Sequence, residues 1–590
     1  MRSNFLSTFF AIVLVFNFSI QISSAECDPV EEKIPLFGDL HVHTSLSLDA
    51  WTQGTINEPG NAYNFAKGER ISLPPYKDGA GARSAILRQP LDFAAVTDHA
   101  ELLGEVELCT NPASGKYNSL ECKAFRNFPT ITYYRYNTNA SRGNPNAICG
   151  DDRSICLEAT ITPWQKVIQA AEEHYKPCQF TTFVGYEWTG AKYSGNNFHR
   201  NIIFHGSNIP KEPISFYEAP NKTNLWELLN ENCNENCEFI SIPHNSNLSN
   251  GQMFLREEAL SNLDQQAFEP VIEIFQHKGS SECHPDSDPF CDFEQLPYKD
   301  FISKTYKNFS STTDIPPASF ARETLLDGLA IKEEENINPW KFGFIGSTDT
   351  HYAIPGFVDE SSFQGHGGAG KSFKDSIPKG LPDDAEFNPG GLAVVWAKQN
   401  DRDHIFEALQ NKEVYGTSGP KFILRFFGSN SFEANMCERS DIFNESYRIG
   451  VPMGGTLSSQ ENISFLIAAS ADQSIAHQYI ERVQVIKGYI EEGIEKTKIF
   501  DVFEDQSASL DTNSCSITGK GMKDMCMVWE DQSYQESQEA FYYVRVLANE
   551  SCRWTQELCI KNPEVCNESN EYPKGIQERA WSSPIWLEAR

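Results

Sequence analysis

At 590 residues the chain exceeds what one hydrophobic core normally organises, so more than one folding unit is expected, and 40% apolar with 22% charged residues is ordinary for a globular protein. Acidic residues outnumber basic ones 81 to 49, a formal net charge of -32. That field repels a polyphosphate backbone and argues against nucleic acid as a partner.

The first residues read as an address. Arg2 precedes an apolar run from Phe9 to Phe16 that is short for a membrane span, and Ser23, Ser24 and Ala25 supply small residues for cleavage. A signal peptide over 1–25 is expected, with the mature chain periplasmic or extracellular and without a later membrane span. Sixteen cysteines suit an oxidising compartment. Cys149 with Cys156, Cys233 with Cys237, Cys283 with Cys291, and the cluster Cys552, Cys559 and Cys566 read as loop-stapling disulfides rather than zinc knuckles.

From Ile34 the sequence reads IPLFGDLHVHTSLSLDA. As a strand it places His41 and His43 on one face, where two imidazoles suit a metal ion; an isolated H-x-H is equally at home as hydrogen-bonded histidines at a strand end. More candidates follow in the same pattern, an apolar run ending in chemistry. LDFAAVTDH ends at Asp98 and His99, FTTFVGYEW carries Glu187, NNFHRNIIFH carries His199, FISIPHN ends at His244, VIEIFQHKG carries Glu273 and His277, and FGFIGSTDTH ends at Asp349 and His351. Helical periodicity over Trp164–Tyr175 and Asp403–Tyr415 separates some of these runs. Strands alternating with helices, with polar groups at strand ends, predict an α/β fold built on a parallel β/α barrel.

The stretch Pro355–Gly391, rich in Gly, Ser, Pro and Asp, reads as a long loop, a lid or a solvated insertion. After Pro420–Phe427 helical signals fade and alternating runs take over (ISFLIAAS, ERVQVIKGYI, AFYYVRVLA). The expected division is therefore a metal-binding barrel over 26–427 and a smaller β-rich, sandwich-like domain over 428–590.

The ordered set H-x-H, T-D-H, strand-borne Glu, H-R-N, I-P-H and D-x-H resembles the PHP superfamily, named for polymerase and histidinol phosphatase, whose members are metal-dependent phosphoesterases. GYEW, HRNIIF, EIFQHKGSSEC and ERAWSSPIW extend the resemblance to an exported bacterial PHP-related family catalogued as a domain of unknown function. The resemblance implies a distorted barrel of about seven strands, against eight in a regular one. It also implies a trinuclear site: His41, His43, Glu187 and Asp349 on one ion, Glu187 bridging to a second held by His199 and His244, and Asp49, His99 and His351 on a third. Nitrogen and carboxylate donors without sulfur suit two to three divalent zinc, manganese or iron ions.

The expected function is hydrolysis, of a phosphoester by analogy, through a hydroxide bridging two ions. An amidohydrolase acting on another substrate, and a metal-stabilised protein binding a glycan or cell surface without catalysis, are the alternatives. The substrate expected is a small-molecule or glycan-linked ester. Catalytic candidates are Glu187, Asp98 and Arg200. Asp98 is read as an acceptor orienting an imidazole or as a strand-end cap. Arg200 and Lys278 are read as receiving an anionic substrate or as ordinary ion-paired residues. Glu273 and His277 share a strand face and line the site or pack; His205 and His366 read as loop residues.

Overall fold

The computed structural model describes residue 27 and residues 31–588, apart from 78–79, 192–195, 234–236, 257–261, 297–314, 369–381, 459–461, 537 and 567–571. The expected signal peptide and the middle of the 355–391 loop lie outside the described residues. No described helix is long and apolar enough to cross a membrane.

Short runs of β-branched and aromatic residues, buried on both faces, form the centre of a large mixed sheet. Ile34–Asp39, Phe93–Val96 and Thr181–Trp188 lie parallel, in that order. Gly38 is required here, because a Cβ at that position would stand 2.3 Å from the Phe93 ring. Beyond Thr181–Trp188 the sheet continues with Arg200–Phe204 and Phe239–Pro243, each antiparallel to its neighbour. On the other side come Leu392–Ala397, Val414–Thr417 and then Arg579–Ser582, Ala540–Ala548, Ile585–Glu588 and Thr456–Ser458. The sheet is therefore mixed, not the parallel array expected.

A separate sheet holds Gly343–Gly346 parallel to Val271–Gln276, with Gly279–Ser280 antiparallel to the latter. Among the described residues no ladder joins it to the large sheet, and a closed barrel is not seen. The ladder is interrupted by a bulge at Ile345/Gly346, and there the strand crosses the backbone of Val414–Thr417: a Cβ on Gly346 would lie 2.8 Å from the Thr417 carbonyl. The two sheets nonetheless enclose one apolar cluster that includes Leu36, Phe93, Phe183, Ile203, Ile240, Val271, Ile345 and Val395.

The helical expectation at Trp164–Tyr175 is met up to His174 within the longer helix Ser154–His174, which buries Trp164, Val167 and Ala171, with Tyr175 as its C-cap. The expectation over Asp403–Tyr415 is half met. The helix is Arg402–Gln410; Lys412 then takes a left-handed conformation (φ 60°) and Val414 and Tyr415 enter a strand.

In the C-terminal third, Ile423–Ser429, Ser464–Ser470, Asp524–Glu530 and Val451–Pro452 form a four-stranded antiparallel sheet. It packs on the long strands Ile480–Glu491 and Ala540–Ala548, with the Phe465 and Tyr542 rings 4.7 Å apart. The boundary expected at 427/428 lies inside the strand Ile423–Ser429, and the large sheet runs across it through the pairing of Val414–Thr417 with Arg579–Ser582.

All sixteen cysteines are paired, with none free. Cys149–Cys156, Cys233–Cys237, Cys283–Cys291 and Cys559–Cys566 join near neighbours as expected. Cys552 is not part of that last group but pairs with Cys515. Cys27–Cys178, Cys109–Cys122 and Cys437–Cys526 complete the set.

Candidate metal centre

The strands end and the histidines begin just beyond them. Ile34–Asp39 stops two residues before His41, and Asp39 anchors the turn by accepting from the amides of His41, Thr348 and Gly356 and from the Thr348 hydroxyl. This one buried carboxylate thereby ties the HVH segment to the TDTH segment. Thr97 ties HVH to TDH, exchanging bonds with Val42 at 3.0 and 2.8 Å. His199 stands at the start of its strand rather than the end. Because that strand is antiparallel to Thr181–Trp188, its beginning adjoins Trp188, and His199 arrives beside Glu187.

Glu187 lies at the middle of the resulting group. Its Oε2 is 3.3 Å from His41 Nε2, 3.2 Å from His43 Nε2 and 3.4 Å from His99 Nδ1; its Oε1 is 2.8 Å from His199 Nδ1 and 3.4 Å from His244 Nε2. Asp349, held at φ 55°, brings Oδ1 to 3.2 Å from both His41 Nε2 and His43 Nε2. Asp49 Oδ2 is 2.8 Å from His99 Nε2 and 3.0 Å from His351 Nε2. Groups of donors thus come within one ion's reach, among them His43, Asp49, His99 and His351; His41, Glu187 and His244; His41, His43 and Asp349; and His277, Asp349 and His351.

The far sides of the rings show which nitrogen faces inward. His41 Nδ1 bonds Glu273 at 3.0 Å, and His351 Nδ1 bonds its neighbour's carbonyl, Asp349 O, at 2.8 Å. Ser47 Oγ donates to Asp98 at 2.7 Å, so it is left to accept from His43 Nδ1 at 3.0 Å. With the proton on Nδ1, each Nε2 lone pair is turned toward a carboxylate, an arrangement that repels itself unless a metal cation or a second ring proton lies between; the carboxylates accordingly push His41, His43 and His99 up against burial. Consistently, His43 Nε2, both ring nitrogens of His244 and Asp349 Oδ1 are buried without a hydrogen bond. Buried polar atoms are rarely left so, and the donor set fits divalent metal ions.

The crowding displaces proton affinities. Burial opposes ionisation of Glu187, yet the His99 imidazole beside it holds it well below the usual carboxylate range. Asp349 is likewise held low against burial by His41 and Lys278. Burial lowers His244 to about 3 and His351 to about 4, so both stay neutral and able to ligate.

Other expectations resolve individually. Asp98 does not touch a ring but acts on His43 through Ser47, while also accepting from the Thr44 amide and hydroxyl. Arg200 is a correction. It is 1% exposed and spends its guanidinium on Glu269 (2.5 Å) and the carbonyls of Phe198 and Met253, away from the cavity. Lys278 reaches the site and its ammonium bonds Asp349. His277 is buried 3.5 Å from Asp349 with both ring nitrogens unbonded. His205 sits far off on Asp403 and Glu238, as a loop residue would. His366 is no solvated loop residue: it is fully buried, bonded to the Pro389 carbonyl and 5.7 Å from the His277 ring.

Sequence reasoning passed over Ser47, Thr189 and Gln276. Thr189 Oγ1 lies 2.5 Å from His99 Nδ1, and Gln276 Nε2 donates to Asp349 at 2.7 Å. Each stands within a few residues of a candidate ligand, and that adjacency was the available signal. The cluster opens into a cavity of about 390 Å³.

No curated protein matches the chain. Among solved structures it is similar to a two-domain protein containing a predicted PHP-like metal-dependent phosphoesterase from Bacteroides vulgatus, at 11% identity and a TM-score of 0.31, over 88% of this chain and 92% of that one. The family model described as "Protein of unknown function (DUF3604)" matches residues 30–589, and the chain belongs to that family.

Proposed function

We propose that the protein is a metal-dependent hydrolase and that its substrate is a phosphoester. The observation that carries the reading is the buried set of imidazoles and carboxylates converging on Glu187 and Asp349, with His43 Nε2, both His244 ring nitrogens and Asp349 Oδ1 left without a hydrogen bond. The phosphoester rests on the order of the motifs, H-x-H through D-x-H, which is that of the PHP superfamily. His41, His43, Glu187 and Asp349 would hold one ion, Glu187, His199 and His244 a second, and Asp49, His99 and His351 a third. When bound, such ions supply Lewis acidity that acidifies water and offsets charge on a phosphoryl group.

The chain's own residues do the arranging. Glu273 and the Asp98–Ser47 pair fix the tautomers of His41 and His43, and Lys278 and Gln276 hold Asp349 from behind. In the net reaction a water oxygen bonds to phosphorus, the ester P–O bond breaks, and the departing alcohol oxygen takes a proton.

The test is metal analysis followed by turnover. Purified protein should carry two to three transition-metal ions per chain, as the ligand assignment above requires. Chelation should abolish hydrolysis in a panel of phosphate mono- and diesters and leave the far-UV circular dichroism unchanged. Metal-loaded protein that turns over no phosphoester would end the proposal.

A further inference from the structure

The cavity has a second wall that the metal ligands do not explain. The helix Pro129–Ser141 turns Thr132 and Tyr136 into the core and presents Tyr133, Tyr134, Asn137, Thr138 and Ser141 to the cavity. These positions recur at three- and four-residue spacing, so one helical face lines the space. Tyr134 is 41% exposed there, and its ring stands nearly perpendicular to Tyr133, with centroids 5.1 Å apart.

Two further lining residues are buried with an unused polar atom. Asn197 is 4% exposed and its amide nitrogen, a donor, has no hydrogen bond. Glu101, also 4% exposed, uses Oε1 to accept from the amides of Thr189 and Phe216, while its Oε2 has no partner. An unsatisfied donor and an unsatisfied acceptor, on two residues that line one cavity, match hydroxyl groups, each of which accepts and donates. Among the described residues, the only lysine or arginine lining the cavity is Lys278, and its ammonium is on Asp349. Among the described residues of this wall none would neutralise a second anionic group.

We propose that this wall is a subsite for an uncharged sugar, and that the substrate class is a sugar phosphate, its phosphoryl group toward Glu187 and Asp349 and its pyranose ring against Tyr134. The phosphoryl half of this statement rests on the function proposed above; the sugar half rests on the helix, Asn197 and Glu101. An aromatic face offers flat apolar area to the C–H face of a sugar. Groups built to bond hydroxyls discriminate strongly, because an analogue lacking the hydroxyl leaves them unpaired.

The experiment compares esters of primary alcohols, so that leaving-group chemistry is matched: methyl phosphate, n-hexyl phosphate, and the 6-phosphates of glucose, galactose and mannose, all with metal-loaded protein. At least one hexose phosphate should exceed methyl phosphate in kcat/KM by about 10²-fold or more, as hydroxyl recognition allows. Tyr134→Ala and Asn197→Ala should each collapse that ratio by about tenfold, chiefly through KM. In parallel, saturation-transfer NMR should detect the free hexoses on the native protein and lose them in Tyr134→Ala. Hexyl phosphate matching or exceeding every hexose phosphate overturns the proposal, as do equal rates for all five esters. Hexose binding without turnover of any phosphoester leaves the sugar subsite standing and removes the phosphoesterase reading instead.

Discussion

Glu187 faces five imidazoles at once, and no other carboxylate of the site is so placed. If its two oxygens serve two ions, Glu187→Ala removes the anion that allows two cations to sit about 3.5–4 Å apart. Metal content should then fall by about one ion per chain or more, and hydrolysis by at least about 10³-fold. His351→Ala should empty chiefly the group around Asp49 and retain the paired ions, with a smaller loss. Metal analysis of the two variants side by side checks this; unchanged stoichiometry and turnover in Glu187→Ala would remove Glu187 from its assigned position. Glu273 touches His41 from outside the donor groups. Glu273→Gln, which keeps the shape but weakens the acceptor, should lower metal affinity by about 10- to 100-fold without moving the unfolding midpoint of metal-free protein by more than a few degrees. Competition with a chelator of known affinity measures the first and a thermal melt the second.

Among the elements, what could be read in the sequence was chemistry and what could not was direction. His41, His43, His99, His244, Asp349 and His351 were legible because each follows an apolar run within a few residues, and polar ligands at strand ends need no long-range information. Strand orientation was not, since side chains alternate in the same way in parallel and antiparallel strands. Hence the reversal at Arg200–Phe204 was hidden, although alternation did contain the fate of Arg200: a neighbour of an inward His199 points outward. The pairing of Cys552 with Cys515 was equally invisible, being fixed by a fold-level approach across 37 residues.

A second long-range arrangement, unread beforehand, joins the helix Ala321–Glu335 to the strand Ala540–Ala548. Arg322 and Arg545, both fully buried, bond Glu282 and Asp288 at 2.6–3.0 Å. Burial alone would raise the Asp288 carboxyl, but the two guanidinium groups hold it at about 2. Its pKa is therefore lower folded than unfolded, so the stability it contributes is present above about pH 4 and is lost as pH falls toward 2. Asp288→Asn should cost about 2 kcal/mol or more at neutral pH, and the difference from the native protein should shrink across pH 4 to 2. Urea unfolding over that pH range gives the measurement; a difference that stays constant with pH would assign the loss to packing.

At the scale of the whole molecule, the same network bears on whether residues 27–427 can stand alone. Glu282, from the part of the chain that carries the metal centre, accepts hydrogen bonds from Tyr543, Arg545 and Trp581, all beyond the expected boundary. The Trp581 ring packs 5.6 Å from Phe275, and Phe275 lies on the strand that carries Glu273. A chain ending at 427 would strip Val414–Thr417 of its neighbour Arg579–Ser582, cut through Ile423–Ser429, and leave Glu282 buried with Arg322 as its remaining cation. Breaking one buried ion pair costs about 3–5 kcal/mol, against a total margin of about 5–15 kcal/mol for a typical domain. Adding the exposed sheet edge and the lost Trp581 contact, the truncated chain should fall below the folding threshold even with its metals supplied. Expressed with its own disulfides formed, residues 27–427 should show weak near-UV circular dichroism, rapid proteolysis and little retained metal. A truncated chain that instead binds two or three ions and resists protease as the full chain does would establish two independent folding units, and would make the sheet's continuity across 427/428 a docking contact rather than a requirement.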